Sequence, residues 1–462
     1  MARQTTLFFC KECGGESPQW VGRCPACGEW NTLTQAPAGS AGSADSGAPA
    51  QRVEAGPLSS FDSGDGVPRP TGISELDRVL GGGLVAGSAT LLGGEPGVGK
   101  STLLLQAMAS AARQSRKALL VSAEESGGQI RARADRLGLC VDDLTALNST
   151  SVDDACAAVE KSHPDLVVID SIQTVHDPAS TSAAGSVTQV TSCAQRLIAC
   201  ARAAGTAVVL VGHVTKDGGL AGPRVLEHMV DTVLTFEGDQ ARQLRMLRAV
   251  KHRFGPTGEL GLFEMDAQGL VGVTDPGSRF IGERRDGISG SVVAATVDGH
   301  RTLIVEVQAL VVPVSNADVT PRWATQGVDQ RRLSLLTAVL SKRADVKTSG
   351  CDVYAATTGG ARIAEPGADL ALCLALASSR ADVPVPADLV AFGEVGLSGD
   401  VRSVGRAEAR VREAARLGFR RALVPQSEVA ACEAIAGIVT VSVRTIAEAL
   451  GRAGLQPVSA AA

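Results

Sequence analysis

Aromatic side chains are scarce in this sequence. They make up 3% of its 462 residues, with a single tyrosine and three tryptophans. A core with so few rings must be built from aliphatic side chains, and little aromatic surface remains for stacking on nucleic-acid bases. The composition therefore disfavours a protein that recognises its ligand by base stacking.

An excess of positive charge is also missing, because the formal net charge is −5. This balance argues against a uniform cationic coat for nucleic acid or anionic lipid, so a polyanionic partner must meet a local patch. No run reaches the roughly 18 apolar residues of a membrane span, and residues 1–6 lack the apolar segment of a signal peptide. We expect a cytoplasmic protein without a membrane partner, and the length suggests about three domains.

A glycine-rich run matches the phosphate-binding pattern G-x-x-x-x-G-K-[ST] at every fixed position. It consists of Gly94, Glu95, Pro96, Gly97, Val98, Gly99, Lys100 and Ser101, followed by Thr102. Residues 89–92 predict a buried strand before the loop and residues 102–108 a helix after it, so backbone N–H groups and the helix N-terminus would face phosphates. A glycine-rich turn with an incidental lysine is the alternative. The flanking elements favour a nucleoside triphosphate site, in which Lys100 contacts the outer phosphates and Ser101 contacts Mg2+.

A second apolar strand, residues 166–170, ends in the carboxylate of Asp170. A carboxylate at this position would complete the Mg2+ shell beside the phosphate loop. The alternative is an aspartate that only caps the next turn. We predict that Asp170 belongs to the nucleotide site.

Further polar residues follow two other predicted strands. Glu124 and Glu125 come after residues 118–122, and His213 follows residues 207–211. The carboxyl ends of parallel strands form the ligand-binding edge of open α/β sheets. We favour Glu124 as the residue that activates water and expect Glu125 to interact with a helix dipole. His213 is either a phosphate sensor or a core histidine.

Four of the eleven cysteines lie within the first 27 residues. Cys10 and Cys13 form one C-x-x-C pair, and Cys24 and Cys27 form another. Two such pairs near glycine or proline predict a tetrathiolate Zn2+ site, and a segment this short needs a metal for stability. A redox disulfide is the weaker alternative, because no strand-helix unit surrounds either pair. The sequence leaves open whether this ribbon contacts protein or DNA.

Three motifs, taken in the order in which they occur along the chain, make the sequence resemble a known family. Residues 71–83, with the phosphate loop after them, resemble the RecA-like ATPases. The cysteine ribbon in front and the pentapeptide behind narrow the resemblance to the bacterial RadA (Sms) family. The pentapeptide is Lys251, His252, Arg253, Phe254 and Gly255, with His252 in place of the family's asparagine.

The resemblance implies a DNA-dependent ATPase of recombinational repair that processes branched intermediates together with RecA. Its implied ligands are ATP, Mg2+, Zn2+, and single-stranded and branched DNA, and its implied assembly is a homo-oligomeric ring, a hexamer. Glu124 falls where RecA-like ATPases carry the catalytic glutamate. Lys251 and Arg253, alternate residues of a predicted strand, would project to one face and reach a neighbouring subunit's nucleotide or a DNA phosphate. A solvated pair of surface charges is the alternative.

The C-terminal region is similar to the proteolytic domain of Lon, which uses a serine nucleophile and a lysine base. The matching segments are residues 365–370, with Gly367 at the serine position, and residues 404–410, with Glu408 at the lysine position. Because glycine cannot attack a carbonyl, we expect a noncatalytic domain. Seven arginines crowd residues 402–421 and either contact DNA or solubilise a helix. They are Arg402, Arg406, Arg410, Arg412, Arg416, Arg420 and Arg421.

The predicted fold class is therefore α/β, with a RecA-like P-loop core between an N-terminal zinc ribbon and a C-terminal α+β Lon-protease-like domain. The predicted boundaries are 1–34 for the ribbon, 35–62 for a flexible linker, 63–278 for the ATPase domain, 279–455 for the Lon-like domain and 456–462 for a disordered tail. Two rival functions are a nucleotide-gated assembly protein of the KaiC kind and an ATP-dependent protease. The ribbon and the Lon-like domain argue against the first, and Gly367 with Glu408 argues against the second.

Overall fold

The computed structural model describes most of the chain. The described residues are 8–10, 16–17, 19–25, 28, 30, 32–35, 66–180, 182–183, 185–214, 220–221, 225–238, 244–282, 284–314, 320–358, 361, 363 and 365–455. Nearly all of the predicted linker and the whole predicted tail lie outside these ranges. The chain divides into two compact units, a first unit of residues 1–257 and 261–272 and a second unit of residues 258–260 and 273–462. Among the described residues, no helix combines the length and apolarity needed to cross a membrane.

The N-terminal segment forms a small antiparallel sheet in the order β2-β1-β3. Its strands are β1 (Phe8–Cys10), β2 (Glu16–Ser17) and β3 (Leu33–Gln35). Cys10, Cys24 and Leu33 are buried together in it. So small an apolar cluster cannot stabilise a fold alone, which is the situation in which a structural metal is needed.

The rest of the first unit is a ten-stranded sheet with helices on both faces. Its helices are α1 (Ser74–Val79), α2 (Lys100–Arg113), α3 (Gly127–Arg136), α4 (Val152–Ser162), α5 (Val187–Ala203) and α6 (Val225–Met229). Its strands are β4 (Ala89–Gly94), β5 (Ala118–Ser122), β6 (Leu144–Asn148), β7 (Leu166–Asp170), β8 (Ala207–Val214), β9 (Leu220–Ala221), β10 (Thr232–Gly238), β11 (Leu244–His252), β12 (Leu260–Asp266) and β13 (Gly269–Gly272).

The sheet order is β13-β12-β11-β10-β4-β8-β7-β5-β6, with β9 beside β8. The strands from β10 to β6 run parallel. Alternate residues of β7 enter different cores: Val167 and Ile169 pack with α4 and α5, whereas Leu166 and Val168 pack with α1 and α2. Burial on both faces explains why these strands are continuous apolar runs. The α/β class is confirmed.

The second unit is built on a seven-stranded mixed sheet in the order β16-β17-β15-β14-β18-β21-β22. The strands of this sheet are β14 (Ser291–Asp298), β15 (Arg301–Pro313), β16 (Trp323–Gln326), β17 (Cys351–Thr357), β18 (Leu389–Ala391), β21 (Arg421–Pro425) and β22 (Val439–Val443). Two further strands, β19 (Glu394–Val395) and β20 (Val401–Arg402), form a separate two-stranded sheet. The helices of this unit are α7 (Pro276–Ile281), α8 (Gln330–Arg343), α9 (Asp369–Ala381), α10 (Ala407–Arg416), α11 (Val429–Cys432) and α12 (Ile446–Arg452).

Helices cover both faces of this sheet. One core contains α8, α9 and α12, and the other contains α10 and α11 against β14, β18 and β21. Residues 273–278, assigned to the ATPase domain from sequence, lie in the second unit. Residues 273 and 274 are held in the second unit because the buried side chain of Arg301, on β15, donates hydrogen bonds to their carbonyls. Arg301 also donates to the carbonyl of Leu260.

Candidate nucleotide, metal and C-terminal sites

The carboxyl ends of four parallel strands meet at one edge of the first unit's sheet. Ser122 at the end of β5 is paired in register with Asp170 at the end of β7. Gly94 at the end of β4 is paired with His213 in β8. The side chain of His213 lies outside the described atoms, so its predicted sensor role gains no contact. This edge is where ligands bind in open α/β folds.

The phosphate loop connects β4 to α2 and contains two left-handed glycines. Gly97 has φ of 79° and Gly99 has φ of 111°. Gly94 is also restricted, because a Cβ there would lie 2.5 Å from the carbonyl oxygen of Phe236. These positions need glycine for backbone conformation or close approach. The loop therefore presents backbone N–H groups at the N-terminus of a 14-residue helix, which suits an anion.

Lys100 is the first residue of α2 and is buried. Its Nζ donates hydrogen bonds to the carbonyl oxygens of Gly94 at 2.7 Å and Glu95 at 3.0 Å. Burial lowers the pKa of the Lys100 ammonium, and the nearby Asp170 and Glu124 oppose that shift. The ammonium is held against the loop that the sequence assigns to phosphate binding.

Ser101 and Asp170 form the Mg2+ side of the candidate site. Burial raises the pKa of the Asp170 carboxyl, while a hydrogen bond with the Ser101 side chain lowers it and the charge of Glu124 raises it further. A hydroxyl and a carboxylate in contact supply the oxygen ligands that Mg2+ prefers. A divalent cation here would also relieve the repulsion between neighbouring carboxylates.

Glu124 and Glu125 have different partners although they are adjacent in sequence. Glu124 Oε1 accepts a hydrogen bond from the buried hydroxyl of Ser171, the residue after Asp170. Glu125 forms an ion pair with Arg133 on α3. Glu124 is therefore oriented from the end of β7, whereas the charge of Glu125 is directed toward a helix.

Ser171 and Arg133 are contacts that sequence reasoning missed. The position of Ser171 after Asp170 could have indicated the first contact. Nothing in the sequence indicates the contact of Arg133 with Glu125. The start of α3, the helix that carries Arg133, does have a recognisable sequence pattern. Ser126 accepts a hydrogen bond from the Gln129 backbone N–H, and Gln129 Oε1 accepts one from the Ser126 N–H. This capping box begins α3 at residue 127 and so fixes the helix that carries Arg133.

The two cations of the pentapeptide contact neighbouring residues of the same unit. Lys251 Nζ donates to the carbonyls of Glu227 and Val230, each at 2.7 Å. Arg253 Nη1 lies 2.9 Å from Asp231 Oδ1, and its side chain is 58% exposed. Strand β11 ends at His252, so Arg253 follows the strand rather than continuing it. Both cations nevertheless contact the 227–231 segment.

His252 has a packing role in the same motif. Its Nδ1 lies 2.9 Å from Thr232 Oγ1, and burial lowers the pKa of its imidazole. A Cβ on Gly255 would lie 2.8 Å from its ring, and a Cβ on Gly81 would lie 3.1 Å from it. Phe254 meets the ring edge-on at a centroid distance of 6.2 Å. The imidazole thus fits between the backbones of Gly81 and Gly255.

Two of the four predicted zinc ligands are described, and both are buried. Cys10 is 3% exposed and Cys24 is 2% exposed. The N–H of Gly28 donates to the carbonyl of Cys24 at 2.9 Å, and Gly28 has φ of 78°, which closes the tight turn after Cys24. Cys13 and Cys27 lie outside the described residues. Buried thiols in tight turns fit Zn2+, which prefers four sulfur ligands in a structural site.

We expect the purified chain to contain about one Zn2+. Cys24→Ala should lose this ion, because three thiolates cannot close a tetrahedral structural site. Cys140→Ala, at an exposed cysteine, is the matched control and should retain it. Elemental analysis of the three proteins measures the difference. A metal-free wild type, or equal zinc in all three, would contradict the assignment.

In the second unit, Gly367 faces a buried arginine. Arg410 is 1% exposed, and its Nη1 and Nη2 donate to the Glu365 carboxylate at 2.6 and 2.8 Å. A Cβ on Gly367 would lie 2.8 Å from Arg410 Nη1 and 2.7 Å from Glu365 Oε1. A serine side chain has no room there unless this ion pair moves. Glu408, which sequence matching placed at the lysine position, is exposed and pairs with Arg412.

The predicted cationic surface is largely neutralised. Helix α10 begins after Arg406, and Arg410 is buried, so the prediction that Arg410 contacts DNA or solubilises a helix is wrong. The reason is that Arg410 neutralises Glu365, a partner distant in sequence. Four more of the arginines have carboxylate partners. The pairs are Arg402 with Asp400, Arg412 with Glu408, Arg416 with Asp275 and Glu413, and Arg421 with Asp388.

Three family models match successive parts of the chain. A rubredoxin metal binding domain matches residues 8–35, an AAA domain matches residues 60–219, and the Lon protease (S16) C-terminal proteolytic domain matches residues 348–449. The second match covers the phosphate loop, Glu124 and Asp170. The third covers Gly367 and Arg410.

Several relatives match this chain over nearly its whole length. The chain is 44% identical to the DNA repair protein RadA of Bacillus subtilis, over 97% of this chain and 99% of the relative. It is 48% identical to RadA of Brucella abortus over 92% of each chain, and 46% identical to RadA of Mycobacterium tuberculosis over 93% of this chain and 89% of the relative. The nucleotide-site geometry, the ribbon and this similarity together show that the chain belongs to the RadA family of DNA repair proteins.

Proposed function

We propose that this protein is a cytoplasmic, DNA-dependent ATPase that processes branched recombination intermediates together with RecA. The observation that carries the proposal is that the phosphate loop with its buried Lys100, the strand-end Asp170 and the oriented Glu124 lie at one edge of the sheet. These groups come from α2, β7 and the segment after β5, and they are of the kinds that ATP hydrolysis uses. The proposal that the substrate is DNA rests on the relatives, which are named as DNA repair proteins.

Each residue has a distinct part in the proposed mechanism. The loop N–H groups and Lys100 bind the phosphates, and Ser101 and Asp170 would hold Mg2+. A bound Mg2+ neutralises charge on the phosphates of the nucleotide. Glu124 orients the attacking water and accepts its proton, with Ser171 fixing the carboxylate through Oε1. The ion pair with Arg133 gives Glu125 a structural part.

We further propose a homo-oligomeric ring, a hexamer, in which Arg253 acts on a neighbouring subunit's nucleotide or on DNA. Its side chain is 58% exposed, and its contact with Asp231 is a partly exposed ion pair. Breaking such a pair to contact another anion costs little free energy. Lys251 is less available, because its ammonium holds two carbonyls near the end of α6. His213 stays a candidate phosphate sensor on its backbone position beside Gly94.

The second unit is proposed to be noncatalytic. Gly367 supplies no nucleophile, and the buried Arg410–Glu365 pair occupies the volume beside it. A lysine base has no counterpart there either, because Glu408 stands at the lysine position. Peptidase turnover by the purified chain would contradict this part of the proposal and restore the protease alternative.

Single-stranded DNA should raise the rate of ATP hydrolysis by the wild-type chain. Lys100→Ala should hydrolyse ATP at background with or without DNA, because the loop loses its phosphate charge. The measurement is steady-state phosphate release across DNA concentrations at fixed salt, since phosphate contacts are salt-dependent. Hydrolysis that DNA does not alter, with no detectable DNA binding, would favour a nucleotide-gated assembly protein instead.

A further inference from the structure

A cavity of about 390 Å³ opens in the second unit next to Gly367, the residue at the serine position. Its wall includes Pro366 and Ala368, the residues on either side of Gly367. The volume falls in the range of ligand pockets, roughly 300–1,000 Å³. The cavity is therefore large enough to hold an organic ligand rather than a single ion.

Part of the cavity wall is apolar. Val307 and Leu372 belong to a core of the second unit and are buried, whereas Val328 and Ile363 pack against that core and are only half-buried. Half-buried aliphatic side chains around a concave surface favour a ligand that brings apolar atoms of its own. A bare inorganic ion does not meet this requirement.

The polar part of the wall is predominantly negative. Among the described residues it contains four carboxylates and one guanidinium, from Asp329, Glu365, Asp369, Glu394 and Arg332. Because like charges repel, such a wall does not suit the phosphate backbone of DNA. It attracts a cationic ligand instead.

Two of the four carboxylates already have their own cations. Asp369 is 4% exposed, and Arg332 donates to both of its oxygens, with Nε 2.9 Å from Oδ1. Glu365 is paired with the buried Arg410 on the other side of the segment. The charges of these two pairs cancel, so they contribute little to the attraction of a cation.

The other two carboxylates, Asp329 and Glu394, are left with unbalanced charge. Glu394 lies 4.0 Å from Arg332 Nη2, beyond hydrogen-bond distance, while the hydrogen bonds of that guanidinium go to Asp369 and to the Val395 carbonyl. Asp329 caps α8 by accepting a hydrogen bond from the Arg332 backbone N–H at 2.8 Å. Within the described part of the chain it has no cationic partner. Both carboxylates are therefore available to a cation from outside.

We infer that this cavity binds an extended segment of a partner protein through a lysine or arginine side chain flanked by aliphatic residues. The aliphatic stem of that side chain lies along the apolar wall, and its cationic head contacts Asp329 and Glu394. The two surfaces are complementary both in charge and in apolar character. The inference does not rest on ATP hydrolysis, because the nucleotide site lies in the first unit.

The backbone around the cavity explains why a side chain, and not strand pairing, carries the recognition. In the adjacent strand β19, the Val395 N–H donates to Asp369 Oδ2 at 3.1 Å, and the Val395 carbonyl accepts from Arg332 at 3.2 Å. Neither group is left to pair with an added strand. Because Gly367 supplies no nucleophile, the bound segment stays uncut.

A short peptide with a single charge tests this recognition. The probe is a heptapeptide with a central lysine between two leucines and alanines elsewhere, amidated at its C-terminus and labelled with an uncharged dye at its N-terminus. Fluorescence anisotropy with the full-length chain should show saturable binding. A peptide with glutamate in place of the lysine should bind at least about tenfold more weakly, because the wall repels it. Mass spectrometry should recover the lysine peptide intact.

Substitutions of the two unbalanced carboxylates should change the preference for charge. Glu394→Gln and Asp329→Asn should each weaken binding of the lysine peptide by about three- to tenfold. Asparagine caps a helix about as well as aspartate does, so Asp329→Asn removes the charge and keeps the start of α8. Glu394→Lys should reverse the preference, so that the glutamate peptide binds more tightly than the lysine peptide. A general loss of stability does not produce such a reversal.

The matched control is Glu433→Gln, at an exposed carboxylate of the same unit outside the cavity wall. This variant should bind the lysine peptide as wild type does. DNA-stimulated ATP hydrolysis is measured separately on every variant and should not change, so peptide binding can be lost while the proposed function stands. Thermal melts of the variants confirm folding.

Several results would overturn the inference. They are a wild type that shows no saturable binding, equal binding of the lysine and glutamate peptides, and binding that neither Glu394 variant alters. Displacement of the probe by spermidine at lower concentrations than by unlabelled peptide would assign the cavity to a free polyamine instead. A change in the assembled mass of Glu394→Lys, without peptide binding by the wild type, would assign it to a second copy of the chain.

Discussion

Glu124→Gln is expected to bind ATP normally and to lose hydrolysis by at least about 100-fold, the effect of removing a general base. The amide keeps the size of the carboxylate and can still contact Ser171, but it cannot accept a proton from water. Binding of a fluorescent ATP analogue and kcat for phosphate release, both with single-stranded DNA present, measure the two effects. Loss of binding together with hydrolysis would assign Glu124 to nucleotide binding instead.

The matched control is Glu125→Gln at the adjacent position. This change removes the ion pair with Arg133, a partly exposed contact, so kcat should fall by less than about threefold, equivalent to roughly 0.7 kcal/mol. If Glu125→Gln abolishes hydrolysis and Glu124→Gln does not, the two roles are reversed. The pair of variants therefore decides between two neighbouring carboxylates that sequence alone could not separate.

Arg410→Met should lower the free energy of unfolding by about 3–5 kcal/mol, because it leaves Glu365 partly buried without a cation. Methionine keeps much of the side-chain volume, so the loss reports mainly the charge and its hydrogen bonds. Arg410 also donates to the carbonyls of Ala295 and Gly405 and lies over the ring of Phe392. Urea unfolding followed by circular dichroism measures the change.

Arg412→Met is the control for this experiment. Arg412 pairs with Glu408 on the surface of α10, and its side chain is 69% exposed. Exposed pairs of this kind contribute about 0.2–1 kcal/mol, so the variant should unfold almost as wild type does. Equal destabilisation by both variants would mean that the buried pair has no special part in the second unit.

The strands that position the nucleotide site could be predicted well from sequence. Residues 118–122 and 166–170 form strands with the predicted bounds, because a strand buried on both faces is a continuous apolar run. The strand predicted over 207–211 continues to Val214. Gly212 and His213 are paired with β4, and backbone pairing does not require an apolar side chain.

Contacts between distant residues could not be predicted in the same way. The burial of Arg410 was not predicted, because spacing rules describe only neighbours on one helix. Its partner Glu365 lies 45 residues earlier and is brought near by the sheet of the second unit. Spatial strand order had the same difficulty, since β7 lies between β5 and β8 although β6 follows β5 in sequence.

The nucleotide site shows both cases within a few residues. The position of Asp170 at a strand end was readable, because parallel strands place their carboxyl ends at one edge. The different partners of Glu124 and Glu125 were not, because they depend on Ser171 and Arg133 from other elements. The sequence thus predicts which edge of the sheet carries the nucleotide site and which carboxylates lie there. The tertiary contacts are needed to assign a role to each carboxylate.

Branch migration on a synthetic three-strand intermediate, with RecA present, tests the central claim most directly. The wild-type chain with ATP should extend the heteroduplex faster than RecA alone, and Lys100→Ala should add nothing because it cannot use ATP. Glu124→Gln should also add nothing although it binds nucleotide. If the wild type hydrolyses ATP on this substrate yet leaves the branch point where RecA alone leaves it, the protein is not a branch-migration motor.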